Sequence, residues 1–483
     1  MAQETPYQVN LFINNEARHL PPPSPTAYVP STTSNTHPLQ NPTTNTLITS
    51  NLQVALSPDV SAAVTAAQRA FSPWRSTSSA ERARLMHRYA DLLEQYAAST
   101  VLSQVQSFRY YAGLAGKIPG ETWPEDGGEG LFKMVVWEPL GVCAGISAWN
   151  AGQLFAGWKI APALAAGNTI VFKSSEKSPL GTLYLGKLFK EAGFPPGVVN
   201  LISGGAETGA LLAENMHVAK ISFTGSLAAG RQVQIAAAKS NLKRVTLELG
   251  GKSAAVVFPD AQLENAVLHN SQGFLANSGR VCSAASRILV HKDVVERFVA
   301  ALREAFVQLG VAMGDPSKET TFLGPLAGLE QDGRVRGYIR DAEEEGTKIL
   351  VGSAEKHATG CFVQPTILLD PDTSSKAYRE EVFGPVVCIN TFESEEEAIA
   401  MANDTDFGLS ATIFTSDYQR ALGIMSRLNA GMISINTSHL PSQQTPWGGW
   451  KQSGYGRESG LEGLKEYLQS KTVHLNLEVP SVS

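Results

Sequence analysis

Short apolar runs that alternate with helical stretches constrain the fold of this chain more than any other feature. One series of runs lies at 142–148, 169–172, 198–202, 221–223 and 245–247, and a second lies at 254–258, 288–290, 386–389 and 432–435. Apolar runs of this length, separated by helices, are typical of strands buried on both faces of a parallel sheet. The sequence therefore predicts an α/β fold built from two doubly wound parallel-sheet domains.

The flanking parts of the chain follow other patterns. Apolar residues three or four positions apart predict helices at 59–71 and 79–96. The segment 19–45 is crowded with Pro, Ser, Thr and Asn, which predicts an irregular arm, with a hidden short strand pair as the alternative. The end of the chain, 467–477, alternates like a strand with no obvious partner nearby. Together with the insertion-like stretch 117–137, we expect it to form a small β oligomerisation element shared between subunits of a homodimer or homotetramer.

Composition and charge argue against several classes of protein. The 483 residues favour two or three packed units, and a net charge of -6 without long runs of one sign argues against a nucleic-acid partner. No stretch approaches the roughly 20 apolar residues that span a bilayer, and the N-terminus lacks the pattern of a secretory signal, so we expect no membrane association. Four cysteines are too few for a disulfide framework, which predicts a cytoplasmic location.

Several familiar catalytic and binding motifs are missing from the sequence. There is no Gly-x-Ser-x-Gly elbow, and the segment 250–253 lacks the earlier glycine of a phosphate-binding loop. The nine histidines show no metal-ligand spacing, so we predict no metal site. The glycines at 454, 456 and 460 are spaced wrongly for a dinucleotide fingerprint and follow no predicted strand, which favours a simple turn.

Three segments could carry chemistry. Cys282 follows a glycine turn at the end of a helical stretch, where a thiol can project into a cleft, although a lone cysteine is more often a buried apolar residue. Glu248 ends an apolar run just before two glycines, a position that suits either a cleft or an ordinary surface carboxylate. In the segment 221–226, a run, a tight turn and a helix start suit a phosphate group or form an ordinary turn.

Further segments surround these three in a recognisable order. They are Trp149-Asn150, Lys173-Ser174-Ser175-Glu176 and Glu381-Val382-Phe383-Gly384-Pro385. Together the six segments resemble the aldehyde dehydrogenase superfamily over nearly the whole chain, from about Asn41 to the last strand. Within that family, the segment 446–454 looks most like the betaine-aldehyde and amino-aldehyde branch.

The resemblance implies an NAD(P)-dependent enzyme that oxidises an aldehyde to the carboxylic acid. It makes Cys282 the nucleophile, which forms a thiohemiacetal and then a thioester, and Glu248 the base that activates water for hydrolysis. The side-chain amide of Asn150 and the backbone N–H of Cys282 would stabilise the oxyanion, and Lys159 would relay protons outward. The alternatives are an enzyme that passes its acyl group to coenzyme A, and a catalytically impaired or non-enzymatic homologue.

The resemblance also implies a cofactor site and a substrate tunnel. The cofactor-binding residues that it implies are Ile146, Trp149, Lys173, Glu176, Gly225, Ser226, Glu381 and Phe383. Because a carboxylate at Glu176 can bind a ribose diol but repels a 2′-phosphate, we expect NAD, with NADP as the alternative. The aromatic residues expected to line the tunnel, for an apolar aldehyde or a quaternary ammonium group, are Phe155, Trp158 and Trp447.

Domain boundaries follow from the same resemblance. The NAD-binding domain would comprise 1–116 and 139–249, and the catalytic domain would comprise 250–445. The segments 117–138 and 446–483 would serve oligomerisation or bridge the domains.

The chain departs from the family pattern at three places. Between Glu94 and Arg109 it is shorter than that pattern by on the order of twenty residues, more than an average helix. Ala151 and Gly152 replace the usual Phe-Pro pair. Arg280 replaces a Gln-like residue, and a cation there would lower the pKa of the nearby thiol if it faced inward.

Overall fold

Two large sheets with helices on their faces make up most of the fold. The computed structural model describes residues 10–18, 36–96, 101–124, 130–438 and 441–477. Within these residues each large sheet is built around parallel strands, and a smaller antiparallel sheet accompanies them. The prediction of an α/β fold with two doubly wound sheets and a small β element is therefore confirmed.

The helices near the N-terminus follow the apolar pattern of the sequence. Both predicted helices are present, and the first starts earlier because Pro58 fits its first turn and Asp59 accepts a hydrogen bond from the backbone N–H of Leu56. The helices are α1 Ser57–Arg75, α2 Ser79–Tyr96, α3 Leu102–Leu114, α4 Gly152–Ala165, α5 Leu180–Ala192, α6 Ala206–Glu214, α7 Leu227–Lys239, α8 Leu263–Leu268, α9 Val295–Val311, α10 Leu329–Glu344, α11 Lys376–Arg379, α12 Glu395–Asn403, α13 Tyr418–Met425 and α14 Gly460–Lys465.

The strands include every apolar run that the sequence singled out, together with shorter ones. They are β1 Leu11–Ile13, β2 Glu16–Arg18, β3 Thr36–Gln40, β4 Leu47–Gln53, β5 Glu121–Trp123, β6 Leu131–Pro139, β7 Val142–Ile146, β8 Thr169–Ser175, β9 Val199–Gly204, β10 Lys220–Thr224, β11 Arg244–Glu248, β12 Ala254–Val257, β13 Arg287–His291, β14 Lys348–Val351, β15 Thr366–Leu369, β16 Val386–Phe392, β17 Phe407–Gly408, β18 Ser410–Phe414, β19 Met432–Ile435, β20 Trp450–Lys451, β21 Gly454–Tyr455 and β22 Leu468–Asn476.

The first sheet reverses its strand order at its centre. Its order is β2-β1-β9-β8-β7-β10-β11-β21, and the five strands from β9 to β11 are parallel. The chain builds β7, β8 and β9 toward one edge and then returns to place β10 and β11 on the other side of β7. Such a reversal opens a crevice at the carboxyl ends of the strands on either side of it.

The second sheet has the order β14-β15-β16-β13-β12-β18-β19, with all pairs parallel except β14 with β15. Strand β18 was not predicted. It is buried throughout, but Ser410 and Thr412 interrupt its apolar run, so the sequence lacks the continuous pattern that marked its neighbours. Hydrogen bonds to β12 on one side and to the edge strand β19 on the other satisfy its backbone.

The small sheet has the order β22-β6-β5 and corrects one expectation. The C-terminal strand does have a partner in its own chain, because β22 pairs antiparallel with β6 along its whole length, from Leu468 opposite Pro139 to Asn476 opposite Leu131. The sequence hid this pair because β6 lies in the stretch that resembled an insertion, more than three hundred positions away. Among the described residues, β22 remains an edge strand.

The two irregular parts of the predicted fold are described only partly. Strand β3 lies in the segment expected to be an irregular arm and pairs with β4, as the alternative of a short strand pair allowed, whereas 19–35 lie outside the described residues. Helix α3 begins within the stretch between Glu94 and Arg109 and packs against α2 and α4. A Cβ on Gly157 of α4 would lie 3.1 Å from the Cα of Gln104 in α3, so a glycine permits this close approach.

Candidate active site

A cavity of about 600 Å³ opens at the carboxyl ends of the parallel strands in the first sheet. It lies at the reversal of strand order, where α/β sheets bind ligands. Loops that lead into the second sheet close its other side. The predicted site residues that line it are Ile146, Trp149, Asn150, Phe155, Lys173, Glu176, Gly225, Ser226, Glu248, Cys282, Glu381 and Phe383. The fold thus brings the candidate nucleophile, base and cofactor residues to one cavity.

Cys282 lies between a turn at Ala276–Gly279 and strand β13. The helical stretch expected before it is present as α8, continued by a π-helix at His269–Gly273. Burial raises the pKa of the Cys282 thiol, and the carboxylates of Glu381 and Glu248 raise it further. The thiol is therefore neutral at ordinary pH and needs a base to become a nucleophile.

Glu248 is the last residue of β11, which β10 and β21 hold on both sides. Its side chain is 3% exposed, and neither carboxylate oxygen has a hydrogen-bond partner in the described part of the chain. Burial raises the pKa of this carboxyl well above its usual range, and the carboxylate of Glu458 raises it further. A buried carboxyl without partners is unfavourable for stability, which makes Glu248 a strong candidate for proton transfer.

The two glycines after Glu248 allow the walls of the cavity to approach each other. A Cβ on Gly250 would lie 2.3 Å from Oε2 of Glu381, and one on Gly251 would lie 2.6 Å from the carbonyl oxygen of Cys282. Any larger residue would displace one of these groups. The glycines therefore fix the spacing between β11 and the loops of the second sheet.

Lys159 lies behind the cavity rather than on its wall. Its ammonium pairs with Oε1 of Glu458 and donates hydrogen bonds to Ser222 Oγ at 3.0 Å and Thr224 Oγ1 at 2.8 Å. Ser222 donates to the same oxygen of Glu458 at 2.7 Å. Glu458 was missed by the sequence analysis, because a single glutamate in a glycine-rich turn carries no pattern. It is the buried partner that Lys159 requires.

The side chain of Asn150 is oriented by the loop before Cys282. Its Nδ2 donates to the backbone carbonyl oxygen of Arg280 at 3.1 Å, and the backbone carbonyl oxygen of Asn150 accepts from Nδ2 of Asn277 at 3.0 Å. One of the two Nδ2 hydrogens of Asn150 remains available for another acceptor. Asn150 thus lies next to Cys282 with a donor to spare, as an oxyanion donor requires.

The phosphate-binding half of the predicted site combines a helix start with a buried cation. Ser226 caps α7 by accepting a hydrogen bond from the N–H of Ala229, and the other N–H groups of the first turn suit an anion. Lys173, at 5% exposure, has its pKa lowered by burial to about 8, an effect that the nearby Glu176 partly opposes. These groups fit the phosphate and ribose parts of a dinucleotide.

The loop with Glu381 and Phe383 is held by helix α10. Gln331 donates to the Phe383 carbonyl oxygen at 2.8 Å, and Arg334 donates to the Glu381 carbonyl oxygen at 2.8 Å. Both residues of α10 line the cavity and were missed, since they are ordinary polar positions of an amphipathic helix. Burial raises the pKa of Glu381 to about 7, while a hydrogen bond from the N–H of Gly251, 3.0 Å long, opposes this shift.

The three predicted tunnel aromatics form a continuous row. The ring centroids of Phe155 and Trp158 are 6.0 Å apart, and those of Trp158 and Trp447 are 5.0 Å apart. All three are buried, and Phe155 is the member that lies on the wall of the cavity. The row gives the nucleophile an apolar surrounding.

Arg280 does not lower the pKa of the Cys282 thiol, which is raised. Its guanidinium is bound to Asn277 and lies over the ring of Trp149. No group of His, Cys, Asp and Glu side chains that could hold a metal ion occurs within the described ranges. None of the helices that the structure describes is long and apolar enough to cross a membrane.

The sequence model of the aldehyde dehydrogenase family matches residues 28–473. The chain belongs to the aldehyde dehydrogenase family. An aldehyde dehydrogenase of Emericella nidulans is 41% identical over 97% of this chain and 95% of its own length. Human retinal dehydrogenase 2 is 40% identical over 97% of this chain and 92% of its own length.

The aldehyde dehydrogenase fold is equally clear in a solved structure. Betaine aldehyde dehydrogenase from Staphylococcus aureus, in complex with NAD+, matches with a TM-score of 0.90 and 34% identity over 99% of this chain and 96% of that chain. Family membership confirms the resemblance drawn from the six segments. It also confirms that the chain is an enzyme of the NAD(P)-dependent, aldehyde-oxidising class.

Proposed function

We propose that the enzyme oxidises its aldehyde through a thioester on Cys282, which Glu248 then helps water to hydrolyse. The observation that carries this proposal is that both residues line one cavity, with both oxygens of the buried Glu248 unpartnered among the described residues. An acid product requires water at the thioester, and a carboxylate without competing partners is suited to activate it.

The first step is attack of the Cys282 sulfur on the aldehyde carbonyl carbon. Because the pKa of the thiol is raised, its proton must pass to a base as the sulfur–carbon bond forms, and Glu248 on the cavity wall is the candidate whose oxygens have no hydrogen-bond partner among the described residues. The carbonyl oxygen becomes an oxyanion, which the spare Nδ2 hydrogen of Asn150 and the backbone N–H of Cys282 would stabilise.

The residues around the cavity fit a nicotinamide dinucleotide. Lys173 and Glu176 would hold the adenosine ribose, Ser226 with the start of α7 the diphosphate, and Glu381 the nicotinamide ribose. When bound, the cofactor supplies a hydride acceptor. Glu176 lies in the cavity beside Ser175, and its carboxylate favours NAD over NADP, because a 2′-phosphate would meet like charge.

Hydrolysis of the thioester returns the enzyme to its starting state. Glu248 takes a proton from the attacking water, the carbon–sulfur bond breaks, and the thiol recovers its proton. The charges of Lys159 and Glu458 both act on Glu248, since both shift its pKa. We propose that they pass the released proton outward.

The appearance of reduced cofactor, followed with a panel of neutral, anionic and quaternary-ammonium aldehydes, tests this function. We expect turnover without coenzyme A, and none with Cys282→Ala. Equal activity of Cys282→Ala would remove the covalent mechanism. Strict dependence on coenzyme A would instead support acyl transfer to a thiol, a reaction that does not need Glu248.

We also propose the domain boundaries given above, a cytoplasmic location and a homo-oligomer. The four cysteines are free thiols. Leu475 in the edge strand β22 is 43% exposed, and Leu477 just after that strand is 62% exposed, which suits pairing with a second subunit. Light scattering after size exclusion should give a dimer or tetramer that Leu475→Lys weakens, whereas a wild-type monomer would contradict the assembly.

A further inference from the structure

Arg280 is a partly buried cation close to the nucleophile that has no carboxylate within ion-pair distance among the described residues. Burial lowers its pKa to about 10, so it stays charged at neutral pH. Its Nε donates to the carbonyl oxygen of Asn277 at 2.7 Å, and its Nη2 donates to Oδ1 of the same residue at 2.9 Å. The guanidinium carbon lies 5.9 Å from the ring centroid of Trp149. The guanidinium group therefore interacts with the neighbouring Asn277 and with the ring of Trp149.

The residue that Arg280 holds has an unfavourable backbone conformation. Asn277 and Ser278 have φ values of 50° and 55°, and Gly279 follows with 71°. Left-handed residues in succession are unfavourable for side chains other than glycine, although asparagine tolerates them best. The two hydrogen bonds from Arg280 and one from Ser278 Oγ to the Gly324 carbonyl oxygen, 2.8 Å long, hold this turn in place.

The turn acts on the oxyanion donor through one amide. Because Oδ1 of Asn277 accepts from Arg280, its Nδ2 must face the other way, where it donates to the backbone carbonyl oxygen of Asn150 at 3.0 Å. Asn150 in turn donates to the Arg280 carbonyl oxygen. These three residues are therefore linked in a ring, in which the Arg280 side chain holds Asn277, Asn277 holds the backbone of Asn150, and the Asn150 side-chain amide binds the backbone carbonyl of Arg280.

We propose that Arg280 is a positioning residue that sets the place of Asn150, and with it of the Asn150 amide, by fixing the side chain of Asn277 on the Asn150 backbone carbonyl. The proposal rests on the oxyanion role of Asn150 in the proposed function. Arg280 acts through its forked N–H groups, which a lysine does not reproduce, and not through its charge on the thiol or contact with substrate.

A double-mutant cycle tests the proposal. We expect Asn150→Ala to lower kcat about 100-fold, as loss of an oxyanion donor does, and Arg280→Ala to lower it about tenfold through misorientation. In the Asn150→Ala background, Arg280→Ala should have no further effect beyond about twofold. A full tenfold loss in that background would overturn the coupling, whereas an unchanged rate of Asn150→Ala would remove the oxyanion role itself and the proposal with it.

Two further variants separate orientation from charge and from folding. Asn277→Gly keeps the left-handed turn favourable while removing the side-chain bonds, and we expect the same loss of about tenfold in kcat with an unchanged KM for cofactor. Arg280→Lys keeps the charge, and we expect it to behave like Arg280→Ala. Full rescue by lysine would overturn the proposal, as would a loss confined to the KM of carboxylate-bearing aldehydes. Thermal midpoints within a few degrees of wild type would show that the variants are folded.

Discussion

Lys159 and Glu458 form an ion pair from which solvent is almost excluded, with side chains 0% and 3% exposed. Ser222 donates to the same carboxylate oxygen, while the second oxygen of Glu458 has no partner among the described residues. The pair also acts on Glu248 from behind the cavity: Glu458 raises the pKa of that carboxyl and Lys159 lowers it. After burial, the largest influences on the pKa of Glu248 therefore come from a pair that does not line the cavity.

Replacement of Glu458 should move the pH profile of the enzyme. Glu458→Gln removes a negative charge and leaves Lys159 to act alone, so the pKa of Glu248 should fall and the alkaline-rising limb of kcat should shift to lower pH. Steady-state rates across pH measure this. Glu466→Gln is the matched control, because Glu466 raises the same pKa as the smallest of the contributions and is 30% exposed. If the rising limb of the pH profile were unchanged in both variants, Glu458 would have no effect on the pKa of the base.

Removal of the base should split the reaction into a fast and a slow part. With Glu248→Gln we expect reduced cofactor to appear in a burst of about one equivalent per site, followed by turnover that is slower by about 100- to 10,000-fold, the usual contribution of a general base. Stopped-flow absorbance would record both phases. An unchanged steady-state rate would show that Glu248 is not the base of the hydrolytic step.

The choice of cofactor should depend on one carboxylate. Glu176→Gln removes the charge that would repel a 2′-phosphate, so the ratio of kcat/KM for NADP to that for NAD should rise about tenfold or more. Glu214 also lies on the cavity wall and supplies the control variant Glu214→Gln, which should leave the ratio unchanged. Equal shifts in both variants would mean that general charge, and not ribose recognition, sets the preference.

Glu381 should make the cofactor-free enzyme less stable as the pH rises. The ordinary pKa of this carboxyl is 4.5, and in the fold it is about 7, so between these values the folded chain holds a proton that the unfolded chain has lost. Stability from this group therefore falls with rising pH and levels off above pH 7, by on the order of 3 kcal/mol.

The variant Glu381→Gln should consequently raise the thermal midpoint at pH 8 but change it little near pH 4.5. Differential scanning fluorimetry without cofactor would show two curves of midpoint against pH that coincide near pH 4.5 and separate as the pH rises. The exposed Glu344 at the end of α10 gives the control Glu344→Gln, for which no such pH dependence is expected. A constant difference at both pH values would contradict the raised pKa.

The sequence allowed most of the parallel strands, though not β15 and β18, and the positions of several site residues to be predicted, because both follow local patterns. A buried parallel strand is an apolar run, and the residues that follow such a run, including Glu248 and Gly225, meet at one edge of the sheet. Cys282 and Glu381 could be assigned only through the resemblance, since neither follows a strand.

The remaining features depend on tertiary contacts that local patterns do not contain. Glu458 reaches Lys159 from a turn almost three hundred positions later in the chain. Gln331 and Arg334 face the site only because α10 packs over the loop with Glu381. Pairing of β22 with β6 joins segments whose separate sequences gave no register. Each of these contacts joins distant parts of the chain, and the sequence of neither part indicates that the other is its partner.

The catalytic centre takes essential parts from the last segment of the chain. Gly454 pairs with Glu248 at the edge of the first sheet. Trp447 and Glu458 are joined by two backbone hydrogen bonds, and β22 pairs with β6. During synthesis the chain emerges N-terminus first at about 5–20 residues per second, so Cys282 and Glu248 leave the ribosome before these partners exist. We therefore expect a chain that lacks these residues to hold the proposed nucleophile and base without the ion pair behind them, and to be inactive.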